Sequence, residues 1–299
     1  MTRHLLDLDD LTPAELGEIL DLGFAPAGEP VLSGMGAALL FQKPSARTRH
    51  STEMAVVQLG GHPVYVRPEE VGIDERETAE DLARTLSCYH RLIAARVFEH
   101  SILERMAEAG SVPVVNLLSD LAHPLQAIAD LLTIRAEFGA LGGRTVAWVG
   151  DYSNVARSLA IGCALTGMQV RFGCPDGYAP TAGELDHFAS LGSAPVVSVN
   201  DPKEAVQGAS VVVTDAWYSM GQEDEKELRR PIFEPYRVDT DLMVDAAEDA
   251  VFMHCLPAHR GDEVTDEVLD GPRSRVWSAA ANRLTAARAA MAWLLTREA

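Results

Sequence analysis

The stretch Thr145-Val146-Ala147-Trp148-Val149-Gly150-Asp151-Tyr152-Ser153-Asn154 decides how the chain is read. A β-favouring apolar run meets a glycine, a helical pattern follows over 155–165, and a second β-rich run begins at Gln169. Strand, turn, helix and returning strand make a unit of parallel sheet. A dinucleotide-binding fold carries Gly-x-Gly-x-x-Gly at this place. That fingerprint is absent, which argues against a nicotinamide cofactor.

The same alternation extends in both directions. Upstream, strands are predicted at 37–41, 64–66, 92–95 and 112–117, with helices over 46–58, from Thr78, over 102–109 and over 124–138. Ile128, Leu131, Leu132 and Ile134 supply the apolar stripe of the last of these. Downstream, strands at 169–172, 196–199, 210–214 and 251–255 alternate with helices at 182–191, 202–207 and 285–295. A loop of about 20 residues is expected after Thr214; in a compact domain that length usually marks a functional lid or disorder. Repeated strand–helix units imply parallel sheets covered on both faces. Gly139 and Gly142-Gly143 break the chain into two halves. The reading is α/β: two doubly wound parallel-sheet domains with a cleft between them. The first domain is 1–138, completed by a C-terminal helix at 283–299 that packs back on it. The second is 139–282.

Composition excludes several classes. The 299 residues, 47% hydrophobic and 23% charged, suit a soluble globular protein. A formal charge of −19 repels phosphate backbones, so nucleic acid is not the expected partner. No apolar run approaches the roughly 20 residues that span a bilayer, and no apolar targeting segment follows Met1, so a cytoplasmic protein is expected. The 25 basic residues include only three lysines, Lys43, Lys203 and Lys226, none in a phosphate-loop context. Cys88, Cys163, Cys174 and Cys255 lack Cys-x-x-Cys spacing, so neither a disulfide framework nor a metal site is expected.

Polar residues gather where the predicted strands end, and open α/β sheets bind ligands at such ends. The first strand leads into Lys43-Pro44-Ser45-Ala46-Arg47-Thr48-Arg49. Free N–H groups, hydroxyls and guanidinium forks at a helix start make an anion site; a merely capped helix with solvated arginines is the plainer alternative. The third strand delivers Arg96. The fourth is followed by His123-Pro124-Leu125-Gln126, where a histidine can donate to a carbonyl oxygen and a glutamine oxygen can accept from an NH2 group. In the second half, strand ends carry Asn154, Asp215-Ala216-Trp217-Tyr218-Ser219-Met220-Gly221 and His254-Cys255-Leu256-Pro257.

Together with Asn282-Arg283, these motifs resemble the ornithine carbamoyltransferase family in order and spacing over nearly the whole chain. Ser45-Ala46-Arg47-Thr48-Arg49 and His123-Pro124-Leu125-Gln126 are shared with carbamoyltransferases generally. Ser219-Met220-Gly221 and His254-Cys255-Leu256-Pro257 favour ornithine over aspartate as acceptor. The resemblance implies transfer from carbamoyl phosphate to L-ornithine, giving L-citrulline and phosphate, without cofactor or metal. It places Ser45, Ala46, Arg47, Thr48, Arg96, His123, Gln126, Cys255, Leu256 and Arg283 around carbamoyl phosphate, and Asn154, Asp215, Ser219 and Met220 around ornithine. Arg47, Arg96, His123 and Cys255 are the implied catalytic groups. The implied assembly is a homotrimer, or a multiple of trimers, working in arginine metabolism.

Three departures from the family pattern stand out. Ala46 replaces a threonine, Glu69-Glu70 replaces a Ser-Gln pair, and Tyr152-Ser153 replaces smaller residues. A carboxylate near phosphate is repulsive, so Glu70 is expected to point away or to pair with an arginine. The departures keep another acceptor amine, N-acetylornithine or putrescine, among the readings. A non-catalytic metabolite-binding protein is the rival from a different class.

Overall fold

The structure, a computed structural model, describes residues 2–26, 28–218 and 225–297. The chain divides into two compact units, Met1–Leu132 with Asn282–Ala299, and Thr133–Ala281.

The first unit holds β1 (Gly36–Phe41), β2 (His62–Val66), β3 (His90–Arg96) and β4 (Val114–Leu118) in the order β2-β1-β3-β4, every pair parallel. After Gly36, β1 is buried throughout, as expected of a strand covered on both faces. Ala38, Leu40, Ile93 and Ala95 pack with Leu82, Leu103 and Met106 of the helices Ala79–Ser87 and His100–Ala109. From β1 the chain moves outward to β2, then returns to lay β3 on the other side of β1. The β1/β3 edge is therefore a topological switch point, where helices leave in opposite directions and a crevice opens. Register pairs Phe41 with Arg96, so both strands deliver their next residues to that crevice.

The second unit holds β5 (Thr145–Val149), β6 (Gln169–Gly173), β7 (Val196–Val199), β8 (Val211–Thr214) and β9 (Val251–His254), again all parallel, in the order β7-β6-β5-β8-β9. Its switch point lies between β5 and β8. Ala147, Val149, Val212 and Phe252 share a core with Val206, Leu242 and Val268.

Several elements differ from the sequence expectation. A helix Pro13–Phe24 precedes β1, started by Thr12, whose side chain accepts from the Glu15 N–H while Glu15 reaches back. The loop expected after Thr214 contains helices Lys226–Phe233 and Thr240–Val244. The last helix runs over Val276–Arg297, starting several residues ahead of the expected 283. From Asn282 onward it belongs to the first unit, where Trp293 Nε1 donates to Glu18 Oε2 at 2.8 Å.

Gly150 ends β5 with φ +117°, a conformation that L side chains rarely adopt. An added Cβ would also sit 3.4 Å from Thr214 Oγ1, which donates to the Val149 carbonyl at 2.6 Å and so fastens β8 to β5 at the switch point. Gly150→Ala is expected to cost about 1–3 kcal/mol in denaturant unfolding. An unchanged midpoint would contradict the conformation assigned to Gly150.

Candidate active site

The crevice of the first unit is built around one hydroxyl. Ser45 caps the helix Ala46–Gln58 and accepts from the Thr48 N–H at 3.3 Å, a local preference of serine ahead of a helical run. That cap turns Thr48 inward, where it is buried. Its Oγ1 receives Arg283 Nη2 at 2.8 Å, Ser45 Oγ at 3.1 Å and Arg96 Nη1 at 3.4 Å. Three donors thus converge on an oxygen with two lone pairs. Both guanidiniums are buried, at 5% and 8% exposure, so the site concentrates positive charge away from water. Such a set is rich in donors, which suits an anion.

His123 stands just ahead of the helix Pro124–Phe138, at the end of a turn held by Asn116, whose Nδ2 donates to the Ala122 carbonyl at 3.2 Å. Thr48, His123 and Arg283 line one narrow pocket with Thr52, Leu117 and Leu125. Burial, reinforced by Arg283 and Arg96, holds the His123 imidazole well below its ordinary pKa. It is therefore neutral at pH 7 and able to donate one hydrogen bond without adding a third positive charge. Gln126 is also buried. Its Oε1 accepts from Arg283 Nη1, so one lone pair expected for a carbamoyl NH2 group is already engaged. Arg47 and Ala46 are exposed on the first turn of their helix.

The second unit gathers another set at its own strand ends. Asn154 opens the helix Asn154–Thr166, which Ser153 caps. Asp215 follows β8 and Cys255 follows β9. Cys255 Sγ donates to Asp215 Oδ1 at 3.1 Å, and the same oxygen accepts from the Ala216 N–H at 2.8 Å. Leu256 adopts φ +62°, with its N–H donating to His254 Nδ1 at 2.8 Å. Asp215, His254 and Cys255 each offer a ligand atom within 4.8 Å of the others. However, His254 Nδ1 holds the Leu256 N–H and Nε2 faces the buried Glu263 Oε1 at 3.2 Å, so the imidazole serves its own loop. Ser219 and Met220 lie outside the described residues.

Residues that the sequence reading did not single out complete both sets. Arg229 donates to Asp151 Oδ2 at 2.8 Å, Glu225 Oε2 at 2.7 Å and the Trp217 carbonyl at 3.0 Å, joining the end of β5 to residues on either side of 219–224. Burial outweighs that pairing and pushes the Asp151 carboxyl up to about 6. In the first unit Asp130 accepts from Gln126 Nε2 at 3.0 Å. Its spacing, four residues along the same helix, was the available signal. Glu70 pairs with Arg67 at 3.1 Å, as expected of a carboxylate near an anion site. The Tyr152 hydroxyl donates to Glu184 Oε1 at 2.8 Å.

Comparison with known proteins covers both units. Residues 3–136 match the model for the carbamoyl-P binding domain of aspartate/ornithine carbamoyltransferases, and residues 142–294 match that for their Asp/Orn binding domain. An ornithine carbamoyltransferase of Thermus thermophilus is 46% identical over 99% of this chain and 97% of its own. The structure of the Pyrococcus furiosus ornithine carbamoyltransferase superposes with a TM-score of 0.93 at 43% identity, covering 98% of this chain and 97% of that one. An N-acetyl-L-ornithine transcarbamylase superposes with a TM-score of 0.88 at 29% identity, over 98% of this chain and 99% of that one.

The lowered His123 value fixes a pH dependence. The unfolded chain takes up a proton near pH 6.5 that the folded imidazole refuses, so this group's contribution makes stability fall as pH drops below about 6.5. In NMR titration His123 is expected to stay neutral at pH 6. An ordinary titration midpoint near 6.5 would contradict the burial described.

Proposed function

The chain belongs to the aspartate/ornithine carbamoyltransferase family, and from that premise we propose that it carbamoylates the δ-amine of L-ornithine with carbamoyl phosphate, releasing L-citrulline and phosphate. The observation that carries this reading is the convergence of Arg96 and Arg283 on Thr48 at a buried helix start, beside a neutral His123. That arrangement suits a small dianion bearing a carbonyl.

In this reading the phosphate takes the helix start at Ser45–Thr48, with Arg47 and Arg96 as its cations. The carbonyl oxygen takes His123 and Arg283, donors whose contribution grows as charge develops there; each such donor is worth about 3–4 kcal/mol in comparable sites. Leu256 completes the carbamoyl side. Asn154 holds the ornithine carboxylate and Asp215 its α-ammonium, with Ser219 and Met220 closing over the side chain and Cys255 beside the δ-amine. That amine, with a pKa near the 10.4 of lysine, gives up its proton before attack. The new bond joins its nitrogen to the carbonyl carbon, and the bond from that carbon to the phosphate oxygen breaks. Positioning and electrostatics account for catalysis, with no covalent enzyme intermediate. We further propose a cytoplasmic homotrimer, or multiple of trimers, acting in arginine biosynthesis. The family resemblance supports that assignment.

Formation of the carbamoylated amine from carbamoyl phosphate, measured with ornithine, N-acetylornithine and putrescine in parallel, tests the reaction. Ornithine is expected to be the preferred acceptor. Preference for either other amine would overturn the acceptor assignment, and no turnover with any amine would favour a binding protein. Arg47→Ala should lower kcat/KM on the order of 100-fold or more with the fold intact; a near-normal rate would remove Arg47 from the site. Asp215→Ala should raise the ornithine KM far more than that of carbamoyl phosphate. Equal changes would contradict the division of binding roles.

A further inference from the structure

Asp130 lies outside the motifs, yet it is 3% exposed in the helix that carries Gln126. Burying a carboxylate this fully is costly unless its hydrogen bonds and nearby charges compensate. The compensation runs in one direction. Gln126 Nε2 donates to Asp130 Oδ1 at 3.0 Å, Gln126 Oε1 accepts from Arg283 Nη1, and Arg283 Nη2 donates to Thr48 Oγ1 at 2.8 Å. A glutamine amide is nearly symmetric in shape but not in polarity: one end donates and the other accepts. Asp130 Oδ1 accepts from the amide, so the NH2 group is held toward Asp130 and the amide oxygen toward the guanidinium. With the amide reversed, NH2 would face Arg283, donor against donor, and the guanidinium would lose its anchor.

Resting on the reading of this pocket as the carbamoyl phosphate site, we propose that Asp130 is a positioning residue that fixes the sense of the Gln126 amide and thereby aims Arg283 at the carbamoyl group. The polarity of this hydrogen-bonded chain sets the direction of Arg283. Proximity in sequence, a single helical turn between Gln126 and Asp130, makes the arrangement rigid.

The experiment is calorimetric binding of carbamoyl phosphate to the full chain and two variants, with the fold followed by thermal unfolding. Asp130→Ala is expected to weaken binding on the order of 10- to 100-fold, the range for a charged hydrogen-bond partner lost from a buried network. Asp130→Glu keeps a carboxyl acceptor for the Gln126 amide and is expected to bind within about fivefold of the unsubstituted protein, because the hydrogen-bond partner is retained. A merely space-filling role for Asp130 would not produce that recovery, since the longer side chain fits the space worse. Unimpaired binding by Asp130→Ala would overturn the proposal, as would an Asp130→Glu variant that binds no better than Asp130→Ala. Should Asp130→Ala fail to fold, Asp130→Glu alone decides, and a loss of binding by it of about 10-fold or more would overturn the proposal. The affinity of the unsubstituted protein tests the reading of the pocket, and the ratios between variants test Asp130, so the two fail separately.

Discussion

Two guanidiniums buried within reach of one hydroxyl form the constraint on which the first unit depends. Arg96 and Arg283 come from distant parts of the sequence, yet both donate to Thr48 Oγ1. Like charges held near one another repel, and more strongly where water is excluded. The fold tolerates this because parallel strands covered on both faces hold the backbone rigidly, and because the last helix brings Arg283 back to the first unit. His123 follows from the same constraint. Beside two fixed cations, in a buried setting, the imidazole stays neutral, which is the state suited to donating to a carbonyl oxygen. A site so rich in donors is preorganised for a small doubly charged anion, and its ligand neutralises what the protein alone leaves in excess.

Sheet order explains why the functional groups collect as they do. Each unit reverses the direction of its strand order once, between β1 and β3 in the first and between β5 and β8 in the second. Arg96 and the Ser45–Thr48 turn belong to the first reversal, Asn154 and Asp215 to the second. The departures from the family pattern are absorbed locally. Glu70 is held by Arg67, and the Tyr152 hydroxyl by Glu184, so neither change adds an uncompensated polar group to these strand ends.

Much of this was legible in the sequence. Strand ends were readable because a covered parallel strand is continuously apolar and stops abruptly at polar residues: Phe41 before Lys43, Val149 before Asp151, Thr214 before Asp215. What escaped was set by tertiary context. The helix Lys226–Phe233 is half charged and contains Pro231, so its sequence reads as loop; Arg229 and Phe233 anchor it through Asp151 and the aromatic ring of Trp217, partners distant in sequence. The last helix was read too short because Val276–Ala281 lacks a long apolar stripe. The partner of Gln126 escaped notice, because Asp130 is a carboxylate in a helix and such a residue ordinarily reads as a solvated face.

The most direct measurement is a crystal structure of the protein with a bisubstrate mimic, a phosphonate joined through an acetyl carbonyl to the δ-nitrogen of L-ornithine. The account predicts phosphonate oxygens hydrogen-bonded to the Ser45–Thr48 turn and Arg96, the carbonyl oxygen on His123 and Arg283, and the α-amino end on Asp215. A phosphonate bound away from Thr48, or an amino-acid end that leaves Asp215 untouched, would contradict it.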